Sequence, residues 1–309
     1  MAWLRNLSLL LSLSLLVPVV LFAQDGEDQP DTNPYGWELQ GSFNLGVNQN
    51  AVSDNWAGDE IGSAAWLSSF NLIAEKQINE RLNNRSTLRL EFGQTHQVNR
   101  ETDTYEEPVK SADKIDLESV LSFTFGWAVN PYASLRIQSQ FADHRGDTDD
   151  VYYYNPTTYT ESVGVGRKLI AREKQEWLAR IGFATRQTVD RNYYDEVEDT
   201  RVSEVISDAG FELVSELNTP VTSDRIMLTA KLTLYQAIHN SLADELEGLP
   251  EEDDWQATDV DLETIFTGSI TELIKVNLQM RLLYDKEVDK AGRFKESLSI
   301  GVAYTFANP

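Results

Sequence analysis

Charged residues recur at every second position in several stretches of this sequence. In an extended strand, this spacing puts side chains on one face, as with Arg89 and Glu91 or with Asp116 and Glu118. Charges of both signs on one enclosed face either pair with one another or line a path for polar solutes. The members of this array are Arg89, Glu91, Asp116, Glu118, Arg136, Arg180, Lys231, Asp259, Asp261, Glu263 and Arg281.

The sequence carries weak signals for catalysis. Its three histidines, His96, His144 and His239, lack the spacing of metal ligands. Ser139 and His144 differ in parity, so on a strand they face opposite sides and do not form a nucleophile–base pair. We therefore predict a chain that is not an enzyme and that has no metal site and no cofactor.

The strands that must position the charged array are predicted by the apolar residues between its members. Polar and apolar residues alternate in about twelve stretches, and the clearest of them is the last one, residues 294–306. Its apolar face ends in an aromatic residue, as expected where a strand leaves the hydrocarbon layer. The pattern predicts an all-β fold: a transmembrane antiparallel up-and-down β-barrel of about twelve strands, closed by the C-terminal strand.

The beginning of the chain predicts export. Residues 1–23 have a basic start and an apolar run, as in a cleaved signal peptide, and residues 24–36 read as a polar lead-in before a barrel over residues 37–306. The absence of cysteine excludes both a disulfide framework and a lipoprotein anchor. We expect the outer membrane of a Gram-negative-type bacterium as the location, with lipid, glycolipid and the barrel-assembly machinery as partners.

Acidic residues concentrate in the predicted links between strands. The formal net charge is −24, which excludes a basic footprint for nucleic acid. Links on one side are predicted to be short, and those on the other are mostly long and acidic, including residues 187–204 and 238–256. Long loops lie outside in such barrels, and a solvated loop face is the ordinary interpretation of such charge. The alternative is that divalent cations bridge these loops to anionic glycolipid, because carboxylates are hard oxygen ligands.

Two details of the pattern require tests by structure. Arg167 falls on the apolar face of the sixth strand, near residues 159–171, and a bulge at Gly164 or Gly166 is the predicted remedy. Aromatic residues at predicted strand ends indicate two interfacial girdles. The expected girdle residues are Trp37, Trp127, Trp177, Tyr132 and Phe306 at the inner end, and Trp66, Phe141, Tyr284 and Trp255 at the outer end.

A loop motif carries a family resemblance. The run Asn55-Trp56-Ala57-Gly58-Asp59, together with Trp37, Gly41 and Gly93, resembles a family of uncharacterised outer-membrane proteins, domain of unknown function 3078. That resemblance implies a barrel in the outer membrane and supplies no catalytic residues. We interpret Asn55, Trp56 and Gly58 as a loop motif in which Trp56 folds into the barrel mouth.

These observations leave three functions open. The favoured one is a narrow channel for small polar or cationic solutes, with Asp259, Asp261 and Glu263 as a one-sided stretch that favours cations. The first alternative is a structural or surface-interaction barrel that acts through its acidic loops, with a lumen closed by ion pairs. The second is an outer-membrane enzyme.

Overall fold

The computed structural model describes residues 35–50, 62–99, 104–144, 151–195, 200–222 and 224–307. The predicted signal peptide, the loop motif of Asn55, Trp56 and Gly58, and most of the polar lead-in lie outside these residues. Twelve long strands dominate the described chain: β1 (Trp37–Asn50), β2 (Ser63–Asn79), β3 (Leu82–Asn99), β4 (Val109–Phe123), β5 (Asn130–Ser139), β6 (Thr157–Arg172), β7 (Gln175–Asp195), β8 (Thr200–Pro220), β9 (Ile226–Asn240), β10 (Thr258–Ser269), β11 (Ile274–Asp285) and β12 (Asp289–Ala307).

Each long strand pairs antiparallel with its sequence neighbours, and the first strand pairs with the last. The closing ladder runs from Gln40 opposite Ala307 to Val47 opposite Ile300. The sheet is therefore a closed barrel, and the predicted fold class, including closure by the C-terminal strand, is confirmed. A short strand at Thr104–Tyr105 pairs with the outer end of β3, and Ala142–Asp143 pairs with Tyr152–Tyr153 in the link between β5 and β6.

Alternate residues of each strand face opposite environments, and the distribution is inverted relative to a water-soluble protein. On β12, Leu298 and Val302 are 60% and 57% exposed, whereas Asp116 and Glu118 on β4 are 1% and 5% exposed. Apolar side chains on the outside and paired charges on the inside are what a barrel in lipid requires. Within the described residues, no helix has the length and apolar character needed to cross a membrane.

The seam between β1 and β12 is closed by an aromatic ring over a glycine. Phe306 lies opposite Gly41, and its ring occupies the space where a Cβ on Gly41 would stand. Tyr304 stacks beside Phe306 with ring centroids 6.3 Å apart. The alternating aromatic end of the closing strand therefore packs on the first strand as well as facing lipid.

The register of β6 differs from the prediction. The β6–β7 ladder is regular through Gly164 and Gly166, and Arg167 pairs with the outward-facing Ala179, so Arg167 is exposed on the outer surface. The irregularity lies further along, because Trp177 pairs with Ile170 whereas the next residue pairs with Lys168. The predicted bulge position is thus wrong: the extra residue is Leu169, which places Ile170 on the apolar face, whereas Lys168 already faces inward by the regular alternation.

Several strand ends also differ from the prediction. β4 ends at Phe123, so Phe125 and Trp127 lie in the turn 124–129, where their ring centroids are 5.1 Å apart. The expected loop 187–204 is largely strand, because β7 continues to residue 195 and β8 begins at residue 200. Links at the inner end are short, whereas those at the outer end are long at 51–62, 100–108, 140–156 and 241–257 and short at 196–199 and 286–288.

Two expected girdle residues face the interior. Tyr132 is 5% exposed, and its hydroxyl lies 2.9 Å from Ser162 Oγ. It fits inside because Gly182, which has no side chain, lies directly beneath the phenol. Trp255 packs against the inward-facing Tyr235 at the outer mouth. Trp37 and Trp177, in contrast, are exposed at the inner end, as an interfacial belt requires.

Candidate solute path in the lumen

The charged residues singled out in the sequence lie on the inward faces of seven strands. Arg89 and Glu91 lie on β3, and the others lie on β4, β5, β7, β9, β10 and β11. Most of them form direct ion pairs inside the barrel. The array is therefore a network of ion pairs inside the barrel.

One side of the lumen, which we call the charged wall, is formed by β4–β9 and holds buried ion pairs. Arg136 Nε and Nη2 donate to the two carboxylate oxygens of Asp116, each at 2.9 Å, and Arg180 is paired with Glu118. Isolated buried charges are costly, so this fork-like pairing is what allows Asp116 to be 1% exposed. This wall is packed by its own side chains.

A second group of charges spans the lumen. Lys231 Nζ on β9 lies 2.7 Å from Glu118 on β4 and 3.1 Å from Glu216 on β8, and Arg89 on β3 lies 3.6 Å from Glu216. β4 and β9 are the first and last strands of the charged wall, five pairings apart in the closed sheet, so these contacts cross the interior. We call Arg89, Glu118, Glu216 and Lys231 the cross-lumen cluster.

A further crossing lies nearer the outer end. Lys114 Nζ on β4 is 2.7 Å from Glu263 on β10. Gln279 Nε2 donates to Glu263 at 3.0 Å and to the two oxygens of Glu91 at 3.3 and 3.4 Å. We call these four residues the outer crossing; it holds two carboxylates with one ammonium group and one amide.

The acidic stretch on β10 is neutralised in the folded barrel. Asp259 pairs with Arg186 at 2.9 Å and Asp261 pairs with Arg281 at 3.0 Å, while Glu263 pairs with Lys114. The sequence-based preference for cations was conditional on this stretch lining an open path. In the structure each of its three carboxylates faces a cation from another strand, which weakens that preference.

The opposite side of the lumen, which we call the neutral wall, is formed by β11, β12, β1 and β2. Asn44 Nδ2 lies 3.4 Å from Ser69 Oγ, and Thr267 Oγ1 of neighbouring β10 donates to Asn277 at 2.9 Å. Uncharged polar side chains dominate the middle of this wall. Its inward residues include Ser42, Asn44, Ser69, Asn71, Asn277, Gln279, Ser297 and Ser299.

Among the cavities lined by the described residues, three bear on a solute path through the interior of the lumen. An outer cavity of about 330 Å³ and a middle cavity of about 240 Å³ lie along the neutral wall and share the residues Glu91, Glu263 and Gln279 of the outer crossing. An inner cavity of about 440 Å³ lies toward the short turns. Arg89 and Lys231 line the middle cavity, whereas Glu118 and Glu216 line the inner one, so the cross-lumen cluster separates these two spaces.

The link 241–257 is attached to the outer mouth. Trp255 packs against Ala184, Tyr235 and Ala237, and Gln236 Nε2 donates to the carbonyl oxygen of Gln256 at 2.7 Å. Lys286 in the neighbouring turn lies 2.7 Å from Asp254, and this hydrogen bond raises the pKa of Lys286. The periodic pattern gave no signal for this attachment, because the link is not a strand.

The turn between β11 and β12 contains a carboxyl group with a high pKa. Burial, together with the negative charges of Asp285 and Asp259, raises the pKa of Glu287 to about 7. Asn240 Nδ2 donates to the carboxyl group of Glu287 at 3.1 Å.

In the part of the chain that the structure describes, no group of three or more His, Asp or Glu side chains is arranged to hold a metal ion.

Sequence reasoning missed some members of the network. Lys114 was omitted because the fourth alternating stretch was taken to begin at residue 115, although the alternation reaches Lys114. Gln279 has the inward parity of Arg281 but was left out of the array, because a search based on charge passes over amides. Arg186 lies 3.7 Å from the ring centre of Tyr235 at the outer mouth. The sequence spacing could not predict this cation–π contact, because the two residues lie on non-adjacent strands.

Comparison with solved structures returns other β-barrels at low similarity. The COG4313 outer membrane channel from Pseudomonas putida F1 is 12% identical, with 91% of this chain and 100% of that chain covered and a TM-score of 0.44. A FadL homologue from Pseudomonas aeruginosa is 12% identical over 88% and 82% of the two chains, with a TM-score of 0.35. The β domain of the Bordetella autotransporter BrkA is 11% identical over 89% and 100%, also with a TM-score of 0.35.

These similarities are too low to support a functional argument, so the fold assignment rests on the strand pairings. No curated protein sequence matches the chain. A family match covers the first strands and the motif region. Residues 33–144 match the family described as "Protein of unknown function (DUF3078)", so the resemblance inferred from the sequence is confirmed over that part of the chain.

Proposed function

We propose that this chain is an outer-membrane barrel that lets small polar solutes pass through a narrow path along the neutral wall. The single observation that carries the proposal is the position of the outer and middle cavities. In both, the Ser, Thr, Asn and Gln side chains of the lining outnumber the charged ones. The ion pairs of Asp116 with Arg136 and of Glu118 with Arg180 lie on the charged wall, and apart from Lys231 the charged residues of that wall line only the inner of the three cavities. A lumen that served only to stabilise the barrel would need no such division.

The path is interrupted by side chains and not by backbone. Solutes that leave the middle cavity toward the inner end meet Lys231 and Arg89, which are held by Glu118 and Glu216. Ion pairs between flexible side chains can exchange partners, so this barrier can open for a passing solute and no plug domain is needed to close the path. Because charges of both signs form it, we expect little discrimination between small cations and anions.

Planar-bilayer recording of the purified, refolded barrel tests the proposal. We expect discrete channels of low conductance, with a permeability ratio for K⁺ and Cl⁻ near unity. The refolded state is verified separately by heat-modifiable mobility on gels, so that an unfolded sample is not mistaken for a folded barrel without conductance. A folded barrel that stays electrically silent and admits no small polar solute into liposomes would reject the channel.

A second candidate is a surface-interaction role through the acidic link 241–257. The observation that favours it is the exposure of Asp244, Glu245 and Glu247 on a segment that Trp255 attaches to the outer mouth. Divalent cations are the proposed bridge from these carboxylates to anionic glycolipid. Calcium-dependent binding of the barrel to glycolipid vesicles, lost when the three residues become Asn or Gln, would support it; calcium-independent binding would not.

A further inference from the structure

A further set of ion pairs spans the inner mouth of the lumen, close to the short turns. Arg85 Nη1 on β3 lies 2.9 Å from Glu176 on β7 and 3.6 Å from Glu75 on β2. Lys168 Nζ on β6 lies 3.3 Å from Glu176 and 3.7 Å from Glu75. β3 and β7 are four pairings apart in the closed sheet, so these contacts bridge the interior. We call Glu75, Arg85, Lys168 and Glu176 the inner crossing.

The inner crossing is more accessible to water than the charged wall. Its four side chains are 22–44% exposed, whereas the side chains of Asp116 and Glu118 are 1% and 6% exposed. Ion pairs that are open to water are weak, because water and salt compete for both charges. The charges of the inner crossing can therefore act on a solute in the mouth as well as on each other.

A cavity of about 360 Å³ lies against the inner crossing, and we call it the inner-mouth cavity. It follows the middle cavity along the β1–β2 ladder. Ser42 and Asn71, which pair with each other, line the middle cavity. The next inward-facing pair, Gln40 and Ile73, lines the inner-mouth cavity. A path along the neutral wall from the middle cavity to the short turns therefore need not pass through the inner cavity.

Charges of both signs line the inner-mouth cavity in equal number. The acidic residues are Glu38, Glu75 and Glu176, and the basic residues are Arg85, Lys168 and Arg172. Charged side chains at a narrow mouth determine which ions concentrate there. Because the two signs balance, the loss of a single charge gives the mouth a preference, and the sign of the lost charge decides its direction.

We propose that the inner crossing is the charge filter at the inner end of the neutral-wall path, where Arg85 and Glu176 balance the charge that a solute meets. This inference rests on the proposed function, because it names the residues that keep the path indifferent to the sign of a solute. The competing role is a brace that holds the strands together and meets no solute.

The experiment places one thiol beside the filter in a chain that has no other cysteine. Ser42→Cys lies in the middle cavity, one inward-facing pair from the inner-mouth cavity. Folded barrels in detergent are treated with a cationic or an anionic thiol reagent of similar size, and the ratio of the two modification rates is measured. We expect the cationic-to-anionic ratio to rise at least threefold with Arg85→Gln and to fall at least threefold with Glu176→Gln.

Two controls locate the effect. Lys174→Gln removes a positive charge from an exposed ion pair at the same end of the barrel, outside the inner-mouth cavity, and should leave the ratio unchanged. Asn48→Cys reports on the outer cavity, where the ratio should not respond to either variant of the inner crossing. A brace would give no opposite shifts. An unchanged ratio at Ser42→Cys in folded barrels, or a shift in the same direction with both variants, would overturn the filter.

Planar bilayers with the same Arg85 and Glu176 variants separate this inference from the channel proposal. If the channel exists without the filter, both variants conduct with the wild-type permeability ratio for K⁺ and Cl⁻, and the thiol rates do not respond. If the filter exists without a continuous channel, the thiol rates shift in opposite directions and the bilayers are silent.

Discussion

The two walls of the lumen use polar residues in opposite ways. On the charged wall, Arg136 donates two hydrogen bonds to Asp116, and the two residues are 8% and 1% exposed, so these groups are satisfied within the protein. On the neutral wall, Asn71 faces a cavity with its carbonyl oxygen unbonded. Period-two alternation builds both walls, so the difference teaches that the inward face of a barrel strand can serve either as a core or as a solute surface.

The largest expected effect comes from Lys231→Met, which removes the cation between Glu118 and Glu216. Two buried carboxylates then lose their shared partner, and breaking such a pair costs about 3–5 kcal/mol of folding stability. We also expect at least a twofold rise in conductance and a shift toward cation selectivity, measured in planar bilayers. Lys174→Met in the inner turn 173–174 is the control, because Lys174 is exposed, pairs with the exposed Asp224 and lines none of the three cavities, so it should change neither quantity appreciably.

Arg136→Leu tests whether the charged wall acts as a core. It removes both hydrogen bonds from Arg136 to the Asp116 carboxylate and leaves that group with the 3.7 Å contact to Arg89. The variant should lower the denaturant midpoint by the equivalent of about 3 kcal/mol, with conductance little changed. The double variant Asp116→Asn with Arg136→Leu should recover most of that loss, because no charge is left unpaired. A double variant as unstable as the single one would show that the ion pair is not the source of the effect.

Gly41→Val tests the seam that closes the neutral wall. Its side chain would overlap the ring of Phe306, and overpacking of this kind costs about 1–3 kcal/mol. We expect a lower unfolding temperature and partial loss of heat-modifiable mobility. The second variant Phe306→Leu combined with Gly41→Val should restore part of the stability, since it frees the space above Gly41; no recovery would mean that the ring contact is not responsible.

The smallest expected effect concerns pH at the outer mouth, where the neutral wall ends. The pKa of Glu287, about 7, is above its ordinary value of 4.5, so the folded turn binds a proton that the unfolded chain releases. The contribution to stability is therefore present below pH 4.5 and is lost as the pH rises toward 7. The groups that face Glu287 are Asp285, Asp259, Asp208 and Arg186.

Hydrogen exchange of the turn 286–288 measures this dependence. Protection should fall between pH 5 and 8 after correction for intrinsic exchange, and Glu287→Gln should remove the trend. A wild-type profile that matches that of Glu287→Gln would contradict the assignment to this carboxyl group.

The sequence was sufficient for the strand order and for the face of each charged residue, because a two-residue period encodes both. It was not sufficient for partners, because Lys114 and Glu263 are 149 residues apart and meet only through closure of the barrel. The position of Tyr132 was wrong for a related reason: the space it fills is left by Gly182 on another strand. The two-residue alternation assigns a side chain to the inner or outer face of the barrel. Which side chains of other strands it contacts depends on the stagger of the strands, because the stagger sets its height along the barrel axis.

The central claim is that solutes move along the neutral wall, and matched cysteines test it most directly in a chain that has no cysteine of its own. Ser299→Cys lines the outer and middle cavities, whereas Ser162→Cys lies on the charged wall, where Ser162 is 3% exposed. The measurement is the rate at which a small water-soluble thiol reagent modifies each cysteine in bilayers, together with the change in current. We predict modification of Ser299→Cys at least ten times faster, with a loss of current; equal rates, or current loss only with Ser162→Cys, would contradict the account.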